Sequence, residues 1–360
     1  MLKIGILTYH YSFNYGAVLQ AYGLYQFLHQ QGYNVEFIDY RPQQARKSNW
    51  RYLYFRGQRL INPFLLVSGT KKLLKFSKFW QSKLKLSEKT YNSEVELRDA
   101  SHDYDVVVCG SDEIWNISDS MTKFGEETAF FLDFIKRDRS RKISYAASFG
   151  HTTEIGESQA KLCSLLQDFD RILVRDSNSA KLVKTCVPDC DKVLDPTFLA
   201  NFEQILNKPK IERDYVLLYG SFSLEQGKAI ESFAKTKNLD IIAIGARPGA
   251  WQPPINRIGV SPEEYLGYYS EASFVFTNYF HGVIFAIIFN KPFISFDRPG
   301  KSLKVKDLLE DLDFTDQIVY ERDVSKADFI AITKMEFDRT KLQQKIARSQ
   351  KLLLHAIEGQ

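Results

Sequence analysis

Membrane-length apolar runs and zinc-type cysteine pairs are both missing from this chain of 360 residues. No stretch reaches the roughly 18 apolar residues of a membrane-spanning helix, and residues 1–9 turn polar too soon for a signal peptide. The four cysteines, Cys109, Cys163, Cys186 and Cys190, do not have the spacing of a metal site. We therefore expect a cytoplasmic protein with reduced thiols, no disulfide framework and no bound metal.

Acidic residues are almost missing from residues 41–89, which we call the basic segment. It contains 13 lysines and arginines but a single acid, Glu88, and so carries +12, whereas the whole chain carries +4. Within it, residues 71–86 alternate basic and apolar residues at helical spacing. This pattern fits either a solvated insertion that packs its aliphatic side on the domain, or an interfacial helix that meets anionic lipid headgroups. No recognition motif accompanies the charge, so we expect no nucleic-acid partner.

Short apolar runs alternate with amphipathic stretches along the chain, as in parallel α/β proteins. Residues 3–7 are apolar, residues 17–29 carry apolar anchors at helical spacing, and residues 35–40 form a second apolar run. Gly32 lies where a glycine commonly follows a helix. Together they predict a strand–helix–strand unit, the building block of a parallel, doubly wound sheet.

The alternation is interrupted once, at the polar stretch Asn207-Lys208-Pro209-Lys210. We therefore predict an α/β protein with two Rossmann-like domains facing each other across a cleft. The first covers residues 1–207 and contains the basic segment as an insertion, and the second covers residues 208–333. A polar, amphipathic helix over residues 334–360 is a candidate to pack back on the first domain.

Polar loops follow several predicted strands, at the edge where open α/β sheets bind ligands. In the first loop, Gly16 permits close backbone approach, and Asn14 can cap the next helix or donate to a ligand. No G-x-G-x-x-G pattern is present, so the loop does not match a dinucleotide fingerprint. His10 in the same loop is interpreted first as an ordinary loop histidine.

Three later loops repeat this form. Asp112, which follows Gly110 and Ser111, could orient a sugar hydroxyl or act as a base, or it could cap the next turn. Small residues over 144–150, among them Ser148, suggest that something approaches the backbone closely. Arg175 precedes a predicted helix start and could hold a phosphate or a carboxylate, or pair with Asp176 at the surface.

The segment Asn278-Tyr279-Phe280-His281-Gly282 opens a long apolar helix that ends at Asn290-Lys291-Pro292. A histidine at the amino-terminal end of a helix lies beside backbone donors that suit an anion. Histidine is also the side chain best suited to proton transfer near neutral pH. His281 is therefore a candidate acid catalyst, although it could merely cap its helix.

Five blocks of the sequence, taken in order, resemble the polysaccharide pyruvyl transferases. The resemblance runs from Lys3 to Leu309, and its specificity comes from the order and spacing of blocks that are individually weak. The blocks are Asn14-Tyr15-Gly16-Ala17, Gly110-Ser111-Asp112-Glu113-Ile114-Trp115-Asn116, Ser144-Tyr145-Ala146-Ala147-Ser148-Phe149-Gly150, Arg175-Asp176 with Leu194-Asp195-Pro196-Thr197, and the segment around His281.

The resemblance implies an enzyme of exopolysaccharide, capsule or cell-wall synthesis, with a fold similar to B-type glycosyltransferases. Such enzymes move the enolpyruvyl group of phosphoenolpyruvate onto a sugar or a lipid-linked oligosaccharide acceptor and close a pyruvate ketal. Phosphoenolpyruvate is then a co-substrate, and no cofactor is expected. An acceptor built on a lipid carrier would bring the protein to the inner face of the membrane, where the basic segment could contact anionic lipid.

The chemistry of phosphoenolpyruvate assigns roles to the residues above. Its carboxylate and phosphate need fixed cations and helix N–H donors, and protonation of its C3 methylene needs a general acid. His281 is the expected acid, and Asp112 is the second catalytic candidate, for orienting the acceptor. The expected phosphoenolpyruvate-binding residues are Arg175, Arg247, Lys291, Asn278 and Gly282. The expected acceptor-binding residues are Asn14, Tyr15, Gly16, Ser111, Ser148 and Tyr279.

One position departs from the family pattern. Many members carry arginine two residues before the motif histidine, where this chain has Tyr279. Either the anion contact comes from elsewhere, for which the candidates are Arg247, Lys291, Arg298 and Arg175, or the substrate differs. Two alternatives to pyruvyl transfer stay open: a nucleotide-sugar-dependent glycosyltransferase of similar fold, and an inactive scaffold that binds a membrane or an assembly through the basic segment.

Overall fold

The computed structural model describes residues 1–56, 59–60, 63–117, 128–245, 251–332 and 339–360. No helix within these ranges is long and apolar enough to cross a membrane. The strands, in chain order, are β1 (Lys3–Leu7), β2 (Asn34–Tyr40), β3 (Phe55–Arg56), β4 (Arg59–Leu60), β5 (Leu86–Tyr91), β6 (Val106–Cys109), β7 (Arg141–Ala147), β8 (Arg171–Val174), β9 (Asp191–Lys192), β10 (Tyr215–Tyr219), β11 (Asp240–Ile244), β12 (Ile255–Arg257), β13 (Phe274–Thr277), β14 (Phe293–Phe296) and β15 (Ile318–Val319). The α-helices are α1 (Tyr15–Gln30), α2 (Gln43–Tyr54), α3 (Pro63–Lys83), α4 (Glu94–Arg98), α5 (Gln159–Leu166), α6 (Ser177–Lys184), α7 (Leu224–Lys237), α8 (Pro262–Glu271), α9 (Phe280–Ile288), α10 (Leu303–Asp311), α11 (Phe329–Ile332) and α12 (Arg339–Glu358).

The first compact unit contains Met1–Leu60, Lys78–Ala200 and Thr340–Gln360. Its main sheet has seven strands in the order β5-β2-β1-β6-β7-β8-β9, and every neighbouring pair is parallel. All four residues of β6 are buried, as expected for a strand that helices cover on both faces. The core of this unit includes Trp115, whose ring stacks on Phe131 with centroids 5.4 Å apart.

Helix α1 begins at Tyr15, two residues before the predicted start at residue 17, because Asn14 caps it. The Asn14 side-chain oxygen accepts from the backbone N–H of Gly16 at 2.9 Å, which satisfies a donor that the first helical turn leaves open. Gly23 then allows close packing, since a Cβ there would lie 2.6 Å from the carbonyl oxygen of Pro196. The cap and this contact fix the helix beside the loop that it follows.

The second compact unit contains Ile61–Ser77 and Asn201–Arg339. Its six-stranded sheet has the order β12-β11-β10-β13-β14-β15 and is also parallel throughout. Helix α8 starts with a capping box, in which Ser261 and Glu264 satisfy each other's backbone N–H groups. The predicted α/β class, with two Rossmann-like units, is confirmed.

The units divide the chain differently from the predicted boundaries. Ile61–Ser77, which the prediction placed in the first domain, belong to the second unit. The main part of the second unit begins at Asn201, before the expected position 208, because residues 201–207 already pack on it. The ring of Phe202 meets that of Phe285 edge-on at 5.5 Å, and Asn207 N donates to the carbonyl oxygen of Glu263 at 2.9 Å. Helix α12 belongs to the first unit from Thr340 onward.

Cys163 and Cys186 form a disulfide, so the expectation of four reduced thiols is wrong for these two. Helix α5 and the turn after α6 bring their Cα atoms to 4.7 Å, and Gln159 Nε2 donates to Thr185 Oγ1 at 2.7 Å beside them. The two cysteines are 23 residues apart in the sequence, so no local pattern indicated that they pair. Cys109 and Cys190 are free thiols, and burial raises the pKa of Cys190 to about 12.

Candidate functional site

The first candidate site lies at the carboxyl edge of the seven-stranded sheet. Because β1, β6, β7 and β8 are parallel, the loops that follow them emerge at one edge. Thr8 Oγ1 donates to the carbonyl oxygen of Ser111 at 2.9 Å, and Ser148 N donates to that of Asp112 at 3.0 Å. The structure thus brings Ser111, Asp112, Ser148 and Arg175 together.

Arg175 is the buried centre of this edge. Its guanidinium contacts Asp195 at 2.8 Å and Asp112 at 3.3 Å, and only 2% of its side chain is exposed. Burial alone would lower the pKa of Arg175, but the charges of Asp112 and Asp195 outweigh it and raise the pKa. The cation that was expected to hold phosphoenolpyruvate therefore already has two carboxylate partners in the protein.

Asp112 is held in an uncommon backbone conformation beside Arg175. Its φ is 93°, a region that non-glycine residues rarely adopt. Its Oδ1 accepts from the backbone N–H of Glu113 at 2.9 Å and contacts Arg175. The Glu113 contact matches the turn-capping interpretation, while the partly exposed carboxylate is still accessible to an acceptor.

Ser111 and Ser148 use their hydroxyls to hold the loops. Ser111 Oγ donates to the carbonyl oxygen of Ala146 at 2.8 Å. Ser148 Oγ donates to Asp176 Oδ2 at 2.6 Å and accepts from Gly150 N at 2.9 Å. Both serines are fully buried, so their geometry fits loop positioning better than direct contact with a sugar.

The residues at the start of α1 differ in their exposure to solvent. Tyr15 and Gly16 are buried, whereas Asn14 is exposed. The Asn14 oxygen caps the helix, so its amide NH₂ is the group that could donate to a ligand. Of the three expected acceptor-binding residues at this loop, Asn14 is the one that solvent reaches.

A buried network around His10 was not assigned to the site from the sequence. His10 Nε2 lies 2.9 Å from Asp39 Oδ1, and Nδ1 lies 3.1 Å from the carbonyl oxygen of Thr8. Asp39 also accepts from Arg41 Nε at 2.7 Å and Thr90 Oγ1 at 2.6 Å. Burial opposes ionisation of Asp39, but the bonds from His10, Arg41 and Thr90 lower its pKa to about 2. The network fixes the ends of β1 and β2.

The second candidate site lies at the carboxyl edge of the six-stranded sheet, where β10, β13 and β14 end. Asn278 joins two of the loops that follow these strands. Its Oδ1 accepts from Ser221 N at 3.2 Å, and its Nδ2 donates to the carbonyl oxygen of Ser221. Gly220 leaves room for this amide, because a Cβ there would lie 2.5 Å from Asn278 Oδ1. Asn278 is thereby a clamp between loops.

His281 is the second residue of α9 and is mostly buried, with its ring 5.4 Å from that of Phe280. The next residue lets the helix approach the sheet, since a Cβ on Gly282 would lie 2.0 Å from Thr277 Oγ1. That hydroxyl donates to the carbonyl oxygen of Tyr219 at 2.6 Å. Gly282 therefore sets the position of His281 through packing.

Two cations from the loop and helix after β14 flank the start of α9. The Arg298 guanidinium lies over the Tyr279 ring, 5.1 Å from its centroid, and Lys304 Nζ lies 5.3 Å from the centroid of Phe280. Ser302 Oγ accepts from Arg298 N at 2.6 Å and donates to its carbonyl oxygen at 2.9 Å. A turn thus holds Arg298 beside the residue that replaces the family arginine.

Lys291 and Arg247 are not brought to this group by the described structure. Lys291 follows the carboxyl-terminal end of α9 and precedes β14, so it lies at the opposite edge of the sheet from His281. Burial lowers the pKa of Lys291, with Lys208 acting in the same direction and Glu271 opposing both. Arg247 lies outside the described residues.

From the sequence, Arg298 was one of four candidate cations for the anion contact and was not distinguished from the other three. The signal was its position, two residues beyond the apolar run that forms β14. Its contact with Tyr279 could not be predicted from the sequence, because it depends on the parallel pairing of β13 with β14. Among the described residues, no cluster of three or more His, Cys, Asp or Glu is placed to hold a metal ion.

Two of the solved structures that this chain resembles are UDP-GlcNAc 2-epimerases. A UDP-GlcNAc 2-epimerase from Neisseria meningitidis, solved with bound UDP-GlcNAc, has a TM-score of 0.51 and 10% identity, with full coverage of both chains. One from Rickettsia bellii has a TM-score of 0.48 and 13% identity, with 100% of this chain and 96% of that chain covered. The similarity to the Neisseria meningitidis structure agrees with the expected fold, that of B-type glycosyltransferases.

The family is shown by a match to the polysaccharide pyruvyl transferase model over residues 14–299. A comparison with curated proteins found no match. The matched range includes every candidate residue named above except His10 and Lys304. The chain belongs to the polysaccharide pyruvyl transferase family, and the resemblance inferred from the five sequence blocks is confirmed.

Proposed function

We propose that this protein transfers the enolpyruvyl group of phosphoenolpyruvate to a sugar hydroxyl and closes a pyruvate ketal with a second hydroxyl. The observation that carries the proposal is the cationic edge around His281, with Arg298 on Tyr279, in a chain of this family. The proposed acceptor is a sugar of a surface polysaccharide or of its lipid-linked precursor.

The atom balance of this reaction defines what the protein must supply. A proton adds to C3 of phosphoenolpyruvate, the first hydroxyl bonds to C2, and the C2–O bond to phosphate breaks. The second hydroxyl then bonds to C2. Of the two protons that the hydroxyls lose, one is balanced by the new methyl group and one by the departing phosphate. The enzyme therefore needs an anion site, a group that delivers a proton and a group that orients the acceptor.

The second-unit edge offers the first two of these. Arg298 and Lys304 supply positive charge beside the amino-terminal end of α9, where the helix dipole also favours an anion. His281 lies in the first turn of that helix, and we assign it delivery of the proton to C3 or to the leaving phosphate. Asn278 and Gly282 hold this arrangement in place without contacting the substrate.

The first-unit edge is assigned to the acceptor in this proposal. Asp112 has an anchored, partly exposed carboxylate, and carboxylates are suited to orient or deprotonate sugar hydroxyls. Asn14 is exposed near the start of α1 and offers an amide donor. Arg175 positions Asp112 through its ion pair, which replaces the direct anion contact expected from the sequence.

Phosphate release tests the proposal. Phosphoenolpyruvate is incubated with a panel of lipid-linked and nucleotide-linked sugars, and wild type is compared with His281→Gln. We expect acceptor-dependent release that falls by about 10²- to 10⁴-fold in the variant. The exposed His29 provides a matched control, and His29→Gln should keep wild-type release.

A nucleotide-sugar-dependent glycosyltransferase is the second candidate. It is favoured by the full-length similarity to an epimerase solved with UDP-GlcNAc. Thermal unfolding separates the two functions, because a ligand that binds only the native state raises the midpoint of unfolding, by more as its concentration exceeds its Kd. Stabilisation by phosphoenolpyruvate supports pyruvyl transfer. Stabilisation by UDP-sugars alone, with no phosphate release from any acceptor, would reject it.

A further inference from the structure

Helix α3 exposes apolar side chains on a face that also carries lysine. Val67, Lys71, Leu74 and Lys78 are all exposed, and their spacing of four, three and four residues places them on one face of the helix. We call these four residues the α3 stripe. Val67 is 56% exposed and Leu74 is 65% exposed. On a helix that only meets water, these positions are normally polar.

The opposite face of α3 accounts for the packing of the helix. Phe76, Phe79 and Trp80 are buried there. Two other lysines are also engaged by the protein, since Lys75 pairs with Glu264 and Lys72 Nζ lies 5.1 Å from the Phe76 centroid. The core contacts of α3 therefore do not require the apolar side chains of the stripe.

Helix α2, also in the basic segment, likewise exposes an apolar side chain beside basic residues. Trp50 is 58% exposed, and the exposed side chains of Arg46, Lys47 and Arg51 lie on the same helix. Neither α2 nor α3 contains an acidic residue. Tryptophan and aliphatic side chains flanked by cations are typical of helices that lie in the headgroup region of anionic membranes.

We propose that the α3 stripe binds the surface of an anionic lipid bilayer, and that the exposed face of α2 makes a separate contact with the same kind of surface. The charge is complementary to acidic headgroups, and Val67, Leu74 and Trp50 supply the apolar contacts that charge alone does not provide. The proposal favours the interfacial interpretation of the basic segment over the solvated insertion. The binding is independent of pyruvyl transfer. Its use, access to a lipid-linked acceptor, rests on the proposed function.

Vesicle flotation of the full chain tests this surface. Wild type is mixed with phosphatidylcholine vesicles, with or without phosphatidylglycerol, and we expect recovery with the anionic vesicles. Lys71→Gln/Lys78→Gln should lower the partition coefficient about 25-fold, since each lysine near such a surface contributes roughly fivefold. Leu74→Gln should lower it about tenfold, because the leucine no longer leaves water.

Matched variants on α7 control for charge and apolarity. Lys235→Gln/Lys237→Gln removes the same charge from exposed positions, and Leu224→Gln removes another exposed leucine; both should float like wild type. Equal recovery of wild type with neutral and anionic vesicles would overturn the proposal. So would equal losses in the α7 and α3 variants. Phosphate release measured in parallel on a soluble acceptor shows whether the proposed function survives either result.

Tryptophan fluorescence supplies a second test, specific to α2. Trp50 is exposed, whereas Trp80, Trp115 and Trp251 are all buried. Vesicles that contain brominated lipid should quench emission of the wild-type protein, and Trp50→Phe should remove that quenching. Flotation without quenching would restrict the contact to the α3 stripe and overturn the part assigned to α2.

Discussion

Arg298 lies over the ring of Tyr279, with its guanidinium carbon 5.1 Å from the ring centroid. Tyr279 occupies the position where many family members carry arginine. Arg298 therefore supplies a positive charge at the same edge of the sheet. It comes from the loop after β14, and its guanidinium stacks on Tyr279. Such stacking is favourable for arginine and keeps its N–H groups available at the ring edge.

The first prediction concerns this pair. Arg298→Gln should weaken phosphoenolpyruvate binding by about tenfold to a hundredfold, because a hydrogen bond to a charged group contributes roughly 1.5–3 kcal/mol. Calorimetric titration measures the change. Arg322 lies over Tyr320 at 5.7 Å in the same unit and provides the control, since Arg322→Gln should bind like wild type. Equal affinities in all three proteins would remove Arg298 from the site.

The second prediction concerns Arg175. Arg175→Ala leaves the buried Asp195 and the partly exposed Asp112 without their cation, and we expect a loss of about 3–5 kcal/mol in the free energy of unfolding. Urea denaturation measures it. Arg171, at the other end of β8, also pairs with two aspartates but is 32% exposed. Arg171→Ala should therefore cost only about 0–1 kcal/mol. Similar costs for both variants would contradict the structural role of Arg175.

The sequence predicted those parts of the fold that local patterns determine. The capping residue Asn14 and the apolar runs of β1 and β2 indicated their elements correctly, because capping and burial act over a few residues. Edge strands such as β9 and β12 were not predicted, since two or three residues carry little pattern.

The sequence-based site assignments were limited for a different reason. Arg175 was correctly placed at a strand end, but its partners Asp112 and Asp195 are far from it in the chain. Whether a cation is available for a ligand depends on such contacts. The same limit applies to Cys163 and Cys186, which meet only because α5 and α6 pack side by side.

The third prediction is a pH dependence of stability from Asp39. The ordinary pKa of 3.8 falls to about 2 in the folded protein, so this carboxylate stabilises the fold fully above about pH 4. The contribution, about 2 kcal/mol, disappears as pH falls toward 2. The free-energy difference between wild type and Asp39→Asn in urea denaturation should shrink across this range. The exposed control Asp103→Asn should follow wild type, and a constant difference for Asp39→Asn would contradict the assignment.

The fourth prediction concerns the disulfide. Unfolded, unreduced protein should react with a thiol reagent at two cysteines, Cys109 and Cys190, and at all four after reduction. Opening a bridge that closes 23 residues should cost about 3 kcal/mol in the chain-entropy model, and the double variant Cys163→Ser/Cys186→Ser should reproduce that loss. Four reactive thiols before reduction would show that the bridge does not form in the purified protein.

Helix α12 belongs to the first unit but is synthesised after the second unit, so the order of synthesis affects the order of folding. Its Ser349 Oγ accepts from the backbone N–H of Leu194 at 3.0 Å, and Arg348 pairs with Asp191 at 2.7 Å. These contacts lie within the first unit, yet α12 is synthesised only after all strands of the second sheet have left the ribosome. The second unit can therefore complete its core during translation. The first unit must wait for the last helix, and until then the groups that α12 covers are exposed to chaperones and proteases.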